Sequence, residues 1–115
     1  MGDAPPSVSV VIPVFNEGRG TADVCERTRR ALAASLGDGA FEIIVVDDGS
    51  TDGALNDKPA RADILLRHER NRGYGAALKT GFAHARGAVV VILDADGTYD
   101  PAVIPALLER LSPET

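Results

Sequence analysis

One cysteine, Cys25, is the only thiol in the chain, so no internal disulfide can form and no cysteine-rich zinc site exists. That scarcity fits a reducing compartment. Long apolar runs are missing too. Ala88 to Leu93 is the longest, and it has strand length, far short of the ~20 residues that span a bilayer. The first residues, Met1-Gly2-Asp3-Ala4-Pro5-Pro6, have neither the basic start nor the apolar stretch of a signal peptide. Ser7 lies one position late for the myristoylation pattern that Met1-Gly2 would open. A basic excess is lacking as well. Lys and Arg number 12 against 17 Asp and Glu, a formal net charge of -5. This argues against a nucleic-acid backbone as the partner. A phosphorylated small ligand remains open, since it needs only a few local donors and a metal.

What is present suffices for one compact domain: 115 residues, of which 44% are hydrophobic and 25% charged. Val8 to Phe15 and Phe41 to Val46 are almost continuously apolar and rich in β-branched residues, the pattern of strands buried on both faces of a parallel sheet. Asp63 to Arg67 and Ala88 to Leu93 read as two further strands. Between them, Thr21 is placed to cap a helix running to about Leu36, stopped by Gly37-Asp38-Gly39, with Cys25, Leu32 and Leu36 near one face. Ala76 to Arg86 reads as a second helix. Leu78 and Phe82 share one of its faces, and the small residues Ala77, Gly81 and Ala85 share another, suited to close packing on a sheet. Asp100 and Pro101 cap and begin a last turn, and Pro105 starts a short helix to about Leu111. Strands alternating with helices define an α/β fold around a mostly parallel sheet of about four strands. In such sheets ligands bind beyond the carboxyl ends of the strands.

Four polar clusters fall at those ends. Asp94-Ala95-Asp96 follows the fourth strand directly. Two carboxylates there repel each other, and a divalent cation would relieve the repulsion; hard oxygen ligands suit magnesium or manganese, which would in turn hold a diphosphate. Alone, such a triplet is more often a pair of solvated turn aspartates. Asp47-Asp48-Gly49-Ser50 follows the second strand, either as a capping turn or as a carboxylate receiving the N–H groups of a nucleobase. Pro13-Val14-Phe15-Asn16-Glu17 closes the first strand, where Pro13 removes a ladder donor; alone, it reads as a strand end approaching a helix. Asn71-Arg72-Gly73-Tyr74-Gly75 opens a helix, with glycines that admit an anion to its N-terminus and Arg72 to add charge; it lacks the Lys-Ser/Thr ending of a P-loop. His68 and His84 have no metal-ligand spacing and read as surface or boundary histidines.

Taken in order, Ser9 to Glu17, Glu42 to Gly53, Asn71 to Gly75 and Asp94 to Pro101 resemble the family 2 glycosyltransferases of the GT-A fold, closest in flavour to polyprenyl-phosphate sugar synthases of the dolichol-phosphate mannose type. The similarity runs from Val8 to Leu111. It implies a Rossmann-like GT-A three-layer sandwich, with residues 8–111 as the nucleotide-sugar-binding domain between tails 1–7 and 112–115. It implies that Pro13, Phe15 and Glu17 line the base pocket and that Asp47 and Asp48 contact base or ribose. Asp94, Ala95 and Asp96 would sit at the diphosphate, with Asp94 and Asp96 holding Mg2+ or Mn2+, Asp96 most directly. Arg72 would contact phosphate or base. Some relatives carry Gln where Thr98 stands, which leaves a third side-chain ligand open. The implied donor is a UDP- or GDP-sugar and the implied acceptor a polyprenyl phosphate, at the cytoplasmic side of a membrane.

The pattern stops where the family usually continues into the acceptor site and its catalytic base, so the expectation is a truncated or short GT-A domain with no catalytic base assigned. An uncovered sheet edge would then favour self-association into a homo-oligomer. Two functional readings stand: a glycosyltransferase, or its donor-binding part, and a module that binds nucleotide-sugar without transferring it. A nucleotidyltransferase would need a Gly-rich, Lys-containing loop after the first strand, which the sequence lacks.

Overall fold

The computed structural model describes residues 6–59, 61–96 and 100–109. Gly97, Thr98 and Tyr99, and the expected termini before residue 6 and after residue 109, lie outside the described residues. Strands β1 (Val8–Val14), β2 (Phe41–Asp47), β3 (Ile64–Arg67) and β4 (Val89–Ile92) form one sheet in the order β3-β2-β1-β4. All its pairings are parallel: Val8 to Val14 run in register with Phe41 to Asp47, and Val8 to Val11 with Val89 to Ile92. β1 and β2 are buried at every position, which explains their unbroken apolar sequence. β4 is covered on one face only, and Val90 and Ile92 are exposed on the other.

Helix α1 (Gly18–Leu36) covers one face of the sheet. Thr21, Val24, Cys25, Thr28 and Leu32 form its buried stripe at helical spacing. They pack on Val10, Ile12, Val14, Ile43 and Val45, with Ile104 of α3 (Ile104–Glu109) joining the same core. Leu36 lies at the rim, partly exposed. Burial pushes the Cys25 thiol up to about 11, with the nearby Arg29 guanidinium acting against that shift.

Helix α2 (Tyr74–His84) covers the opposite face, so the chain is a three-layer α/β/α sandwich. Its contact face is the small-residue one. Ala77 and Gly81 are buried while Phe82 is exposed. A Cβ on Gly81 would stand 2.4 Å from Val11 Cγ1, so only glycine allows the helix this close to β1.

The helix starts differ from expectation. α1 begins three residues before Thr21, which caps nothing: its hydroxyl donates back to the Glu17 carbonyl from inside the first turn. α2 begins two residues before Ala76 and ends two before Arg86. Asp100 does cap: its carboxylate accepts from the Ala102 N–H at 3.0 Å, and a single 3-10 turn (Pro101–Val103) leads into α3. Pro105 is therefore the second residue of α3 rather than its start.

The amino end of the sheet is fastened by a buried glutamate. Glu42 accepts from the Ser9 hydroxyl at 2.6 Å, from the Arg86 N–H at 2.8 Å and from Arg86 Nε at 3.2 Å. Ser9 Oγ in turn accepts from the Gly87 N–H. This ties the α2–β4 turn to β1 and β2 at the end opposite the polar clusters.

Candidate donor-binding site

The chain runs β1, β2, β3 in one direction across the sheet and then returns to place β4 on the other side of β1. Ligands in open α/β sheets bind at such a switch point, outside the carboxyl ends of the strands. Here the β1–β4 pairing stops at Val11 and Ile92, with one further bond from the Leu93 N–H to the Val11 carbonyl. Successive residues of a strand alternate in hydrogen-bonding direction, so Pro13 faces the same side as Val11. Its missing donor therefore falls where β4 has already left. The proline is compatible with a central strand because the ladder it would interrupt has ended.

A cavity of about 460 Å3 opens at this point. Pro13, Val14, Phe15 and Glu17 come from the end of β1, Asp48 from the end of β2, Asn71 and Gly73 from the loop before α2, Tyr74 and Ala77 from α2 itself, and Asp94 and Asp96 from the end of β4. Phe15 is 44% exposed and Tyr74 57%, so two aromatic rings stand at the cavity with much of their surface available. Burial, then the charge of the nearby Asp94 carboxylate, raises the Tyr74 phenol above its ordinary value. Ala95, between the two aspartates, is 2% exposed and packs into the α1-side core, anchoring the triplet.

Asp48 is placed differently from an open base-binding carboxylate. It is 3% exposed. His68 Nδ1 lies 2.7 Å from Oδ1, which also accepts the Arg72 N–H at 2.9 Å. Oδ2 accepts the Gly73 N–H at 2.9 Å and Asn71 Nδ2 at 3.1 Å. Burial would raise the carboxyl; the bonds from His68, Arg72 and Gly73 and the charge of His68 outweigh it and hold Asp48 below the ordinary carboxylate range. A carboxylate only accepts, so His68 Nδ1 carries a proton, and its Nε2 meets the Thr80 hydroxyl at 2.8 Å on α2. His68 is thus no surface histidine: its side chain is 5% exposed. Asp48 needs the loop at contact distance, and Gly49 provides it. Gly49 has φ +75, and a Cβ there would lie 2.3 Å from the Arg70 carbonyl carbon and Asn71 nitrogen.

Of the other expected residues, Asp47 faces a separate recess with Ser50, Asp52 and Arg67, and accepts the Ser50 N–H at 2.9 Å. The Arg72 side chain lines a groove with Arg67 and Arg70, apart from the main cavity. Asn16, at φ 56, clamps two motifs together: its N–H donates to Ser50 Oγ, and its Oδ1 accepts the Thr51 N–H, both at 2.8 Å. Asp52 Oδ2 accepts the Gly18 N–H at 3.3 Å. Tyr74, His68 and Asn16 were not singled out as site residues from the sequence. Tyr74 and Asn16 do fall within two of the strand-end polar clusters, whereas His68 carries no local signal.

Among the described residues no group of three or more His, Cys, Asp and Glu side chains could hold a metal ion. The fit rests on two hard-oxygen donors, Asp94 and Asp96, on one cavity. That donor set matches Mg2+ or Mn2+ bound through one or two carboxylates, with phosphate and water completing the shell.

The four-stranded parallel sheet between helical layers has the Rossmann-like GT-A fold of solved glycosyltransferases. The family model for Glycosyl transferase family 2 matches residues 9–115, and the chain belongs to that family. It is 44% identical over 110 residues to undecaprenyl-phosphate 4-deoxy-4-formamido-L-arabinose transferase of Pseudomonas aeruginosa, covering 90% of this chain and 32% of that protein. The chain therefore spans about a third of the length of the curated relatives it matches. Among solved structures it is similar to glucosyl-3-phosphoglycerate synthase of Mycobacterium tuberculosis, in complex with Mn2+, UDP and glucosyl-3-phosphoglycerate. There the TM-score is 0.72 at 30% identity, over 96% of this chain and 41% of that one. It is also similar to a mannosyltransferase of Pyrobaculum calidifontis in complex with GDP-Man and Mn2+, with a TM-score of 0.66 at 29% identity, over 97% and 34% of the two chains.

Proposed function

We propose that this chain holds the nucleoside-diphosphate sugar of a glycosyl transfer in the crevice between β1 and β4. The observation that carries the reading is the convergence of Asp94 and Asp96 with Phe15, Glu17 and the Asn71–Gly73 loop on one cavity at the switch point. Pro13 and Phe15 form an apolar wall for the base of a UDP- or GDP-sugar. Glu17, exposed at the rim, accepts from ribose hydroxyls. Asp48 contributes by shaping the loop that faces the base. Asp94 and Asp96 would hold a divalent cation, Mg2+ or Mn2+, which would supply positive charge to neutralise a departing diphosphate. The acceptor is a polyprenyl phosphate, by analogy with the undecaprenyl-phosphate transferase it resembles. Such an acceptor places the reaction at a membrane surface, although no helix among the described residues is long and apolar enough to cross a membrane.

Donor binding is favoured over transfer by these residues alone. Asp100, the carboxylate next along the chain after Asp96, accepts from Arg27 at 3.3 Å and from the Ala102 N–H, so it is committed to structure rather than to deprotonating an acceptor. The test is calorimetric titration of UDP, GDP and ADP with Mn2+ and with EDTA. Mn2+ is expected to tighten UDP or GDP at least about tenfold and to favour them over ADP. Equal affinities in the two conditions would remove the metal from the reading. Robust acceptor-dependent release of nucleoside diphosphate would show that the chain carries a base this reading omits.

A further inference from the structure

The loop between β3 and α2 has two sides. Asn71 and Gly73 line the donor cavity, whereas Arg70 and Arg72 line a separate groove of about 440 Å3 with Arg67, His68 and Glu69. The two sets of lining residues share no member. Three arginines against one glutamate give this groove an excess of positive charge, in a chain whose formal net charge is -5. Like charges so close repel one another, and elsewhere the protein relieves its arginines with carboxylates. Arg27, Arg29, Arg30, Arg61 and Arg86 each meet an Asp or Glu oxygen at 2.7–3.3 Å. Among the described residues, Arg67, Arg70 and Arg72 form no such ion pair, although Glu69 lies between them in sequence. Arg67 donates instead to the Leu55 carbonyl.

The backbone that carries these side chains is fixed. The Arg72 and Gly73 N–H groups are bound to Asp48 at 2.9 Å, and the His68 N–H to the Asp47 carbonyl at 2.9 Å. The missing Cβ of Gly49 lets Arg70 and Asn71 lie against the end of β2. We propose that this groove binds a phosphomonoester dianion, at a site separate from the nucleotide cavity. A guanidinium presents a planar fork of donors that matches phosphate oxygens, and it is more weakly hydrated than an ammonium. A dianion neutralises the excess left by three arginines and one glutamate. A phosphorylated small molecule and the phosphate headgroup of a lipid offer this same chemistry. Because no lining residue is shared, the inference does not depend on the donor-binding reading above.

The experiment titrates inorganic phosphate into the protein at constant ionic strength, following the Nε–Hε signals of the arginines by NMR. Sedimentation with phosphatidylcholine vesicles, alone and with phosphatidic acid or phosphatidylglycerol, tests the lipid source. The expected result is a saturable shift of the Arg70 and Arg72 signals, weakened at least about tenfold in the double variant Arg70→Gln, Arg72→Gln. Glu69→Gln should bind about two- to fivefold more tightly, a gain that a damaged fold cannot produce. Retention on phosphatidic acid alone would support the site and assign it to a lipid headgroup. Phosphate binding without vesicle retention would support it and assign a soluble phosphomonoester. Equal retention on phosphatidylglycerol would overturn the inference, since attraction to any anionic surface would explain it. A shift that chloride reproduces, or an affinity unchanged in the double arginine variant, would also overturn it. Displacement of phosphate by UDP in EDTA would overturn the separation of the two sites.

Discussion

Asp48→Ala is expected to lower the thermal midpoint by about 10–20 °C, a larger effect than any surface substitution should produce. The carboxylate is 3% exposed and receives His68, Asn71 and the N–H groups of Arg72 and Gly73. Removing it strands these donors together, at a cost of about 3–5 kcal/mol. Acid should act on the same contact. The folded pKa of Asp48 is depressed, so its contribution is present above the unfolded value of about 3.9 and is lost as pH falls through the lower folded value. Melts followed by circular dichroism from pH 7 to pH 3 should therefore show a shallower acid limb in Asp48→Ala than in the unsubstituted protein. If Asp48→Ala melts normally and loses only nucleotide binding, the carboxylate serves the ligand and not the loop.

Asp96→Ala is expected to do the opposite: leave the fold nearly untouched and remove the metal-dependent part of nucleotide binding. Asp96 is exposed and lines the cavity mouth. Truncating one member of a close charge pair typically costs 2–5 kcal/mol, and the lower part of that range is roughly 100-fold in affinity. Calorimetry with UDP and GDP in Mn2+ should show this loss, with the EDTA values unchanged. Asp94→Ala should lose less if Asp96 is the more direct ligand. A Mn2+ increment that survives Asp96→Ala would move the cation away from this triplet.

The strands were legible because β1 and β2 are buried on both faces, which forces Val8–Val14 and Phe41–Asp47 into apolar runs that no other element explains. The switch-point crevice followed from the order of elements, since polar clusters at successive strand ends converge wherever a parallel sheet reverses direction. Helix starts were not legible, because their first N–H groups are satisfied from far away. Gly18 donates to Asp52, and Gly73 to Asp48, 34 and 25 residues distant in sequence. Local capping rules therefore drew attention to Thr21 and past Tyr74. The same distance concealed His68. Nothing within its own segment marks it as buried; Asp48 and Thr80, 20 and 12 positions away, do so. Much of the paired Asp-Asp and Asn-Arg-Gly chemistry that suggested ligand contact is spent on holding one motif to another.

Cys25 gives the molecule an internal clock. Its sulfur lies wholly under α1, and burial keeps it protonated at neutral pH. A thiolate-seeking reagent can reach it only when the helix lifts from the sheet. With no second cysteine to compete, the rate of consumption of such a reagent counts those separations one by one. Since α1 begins at Gly18, directly behind the crevice, ligands that brace the crevice should slow the count without touching the sulfur.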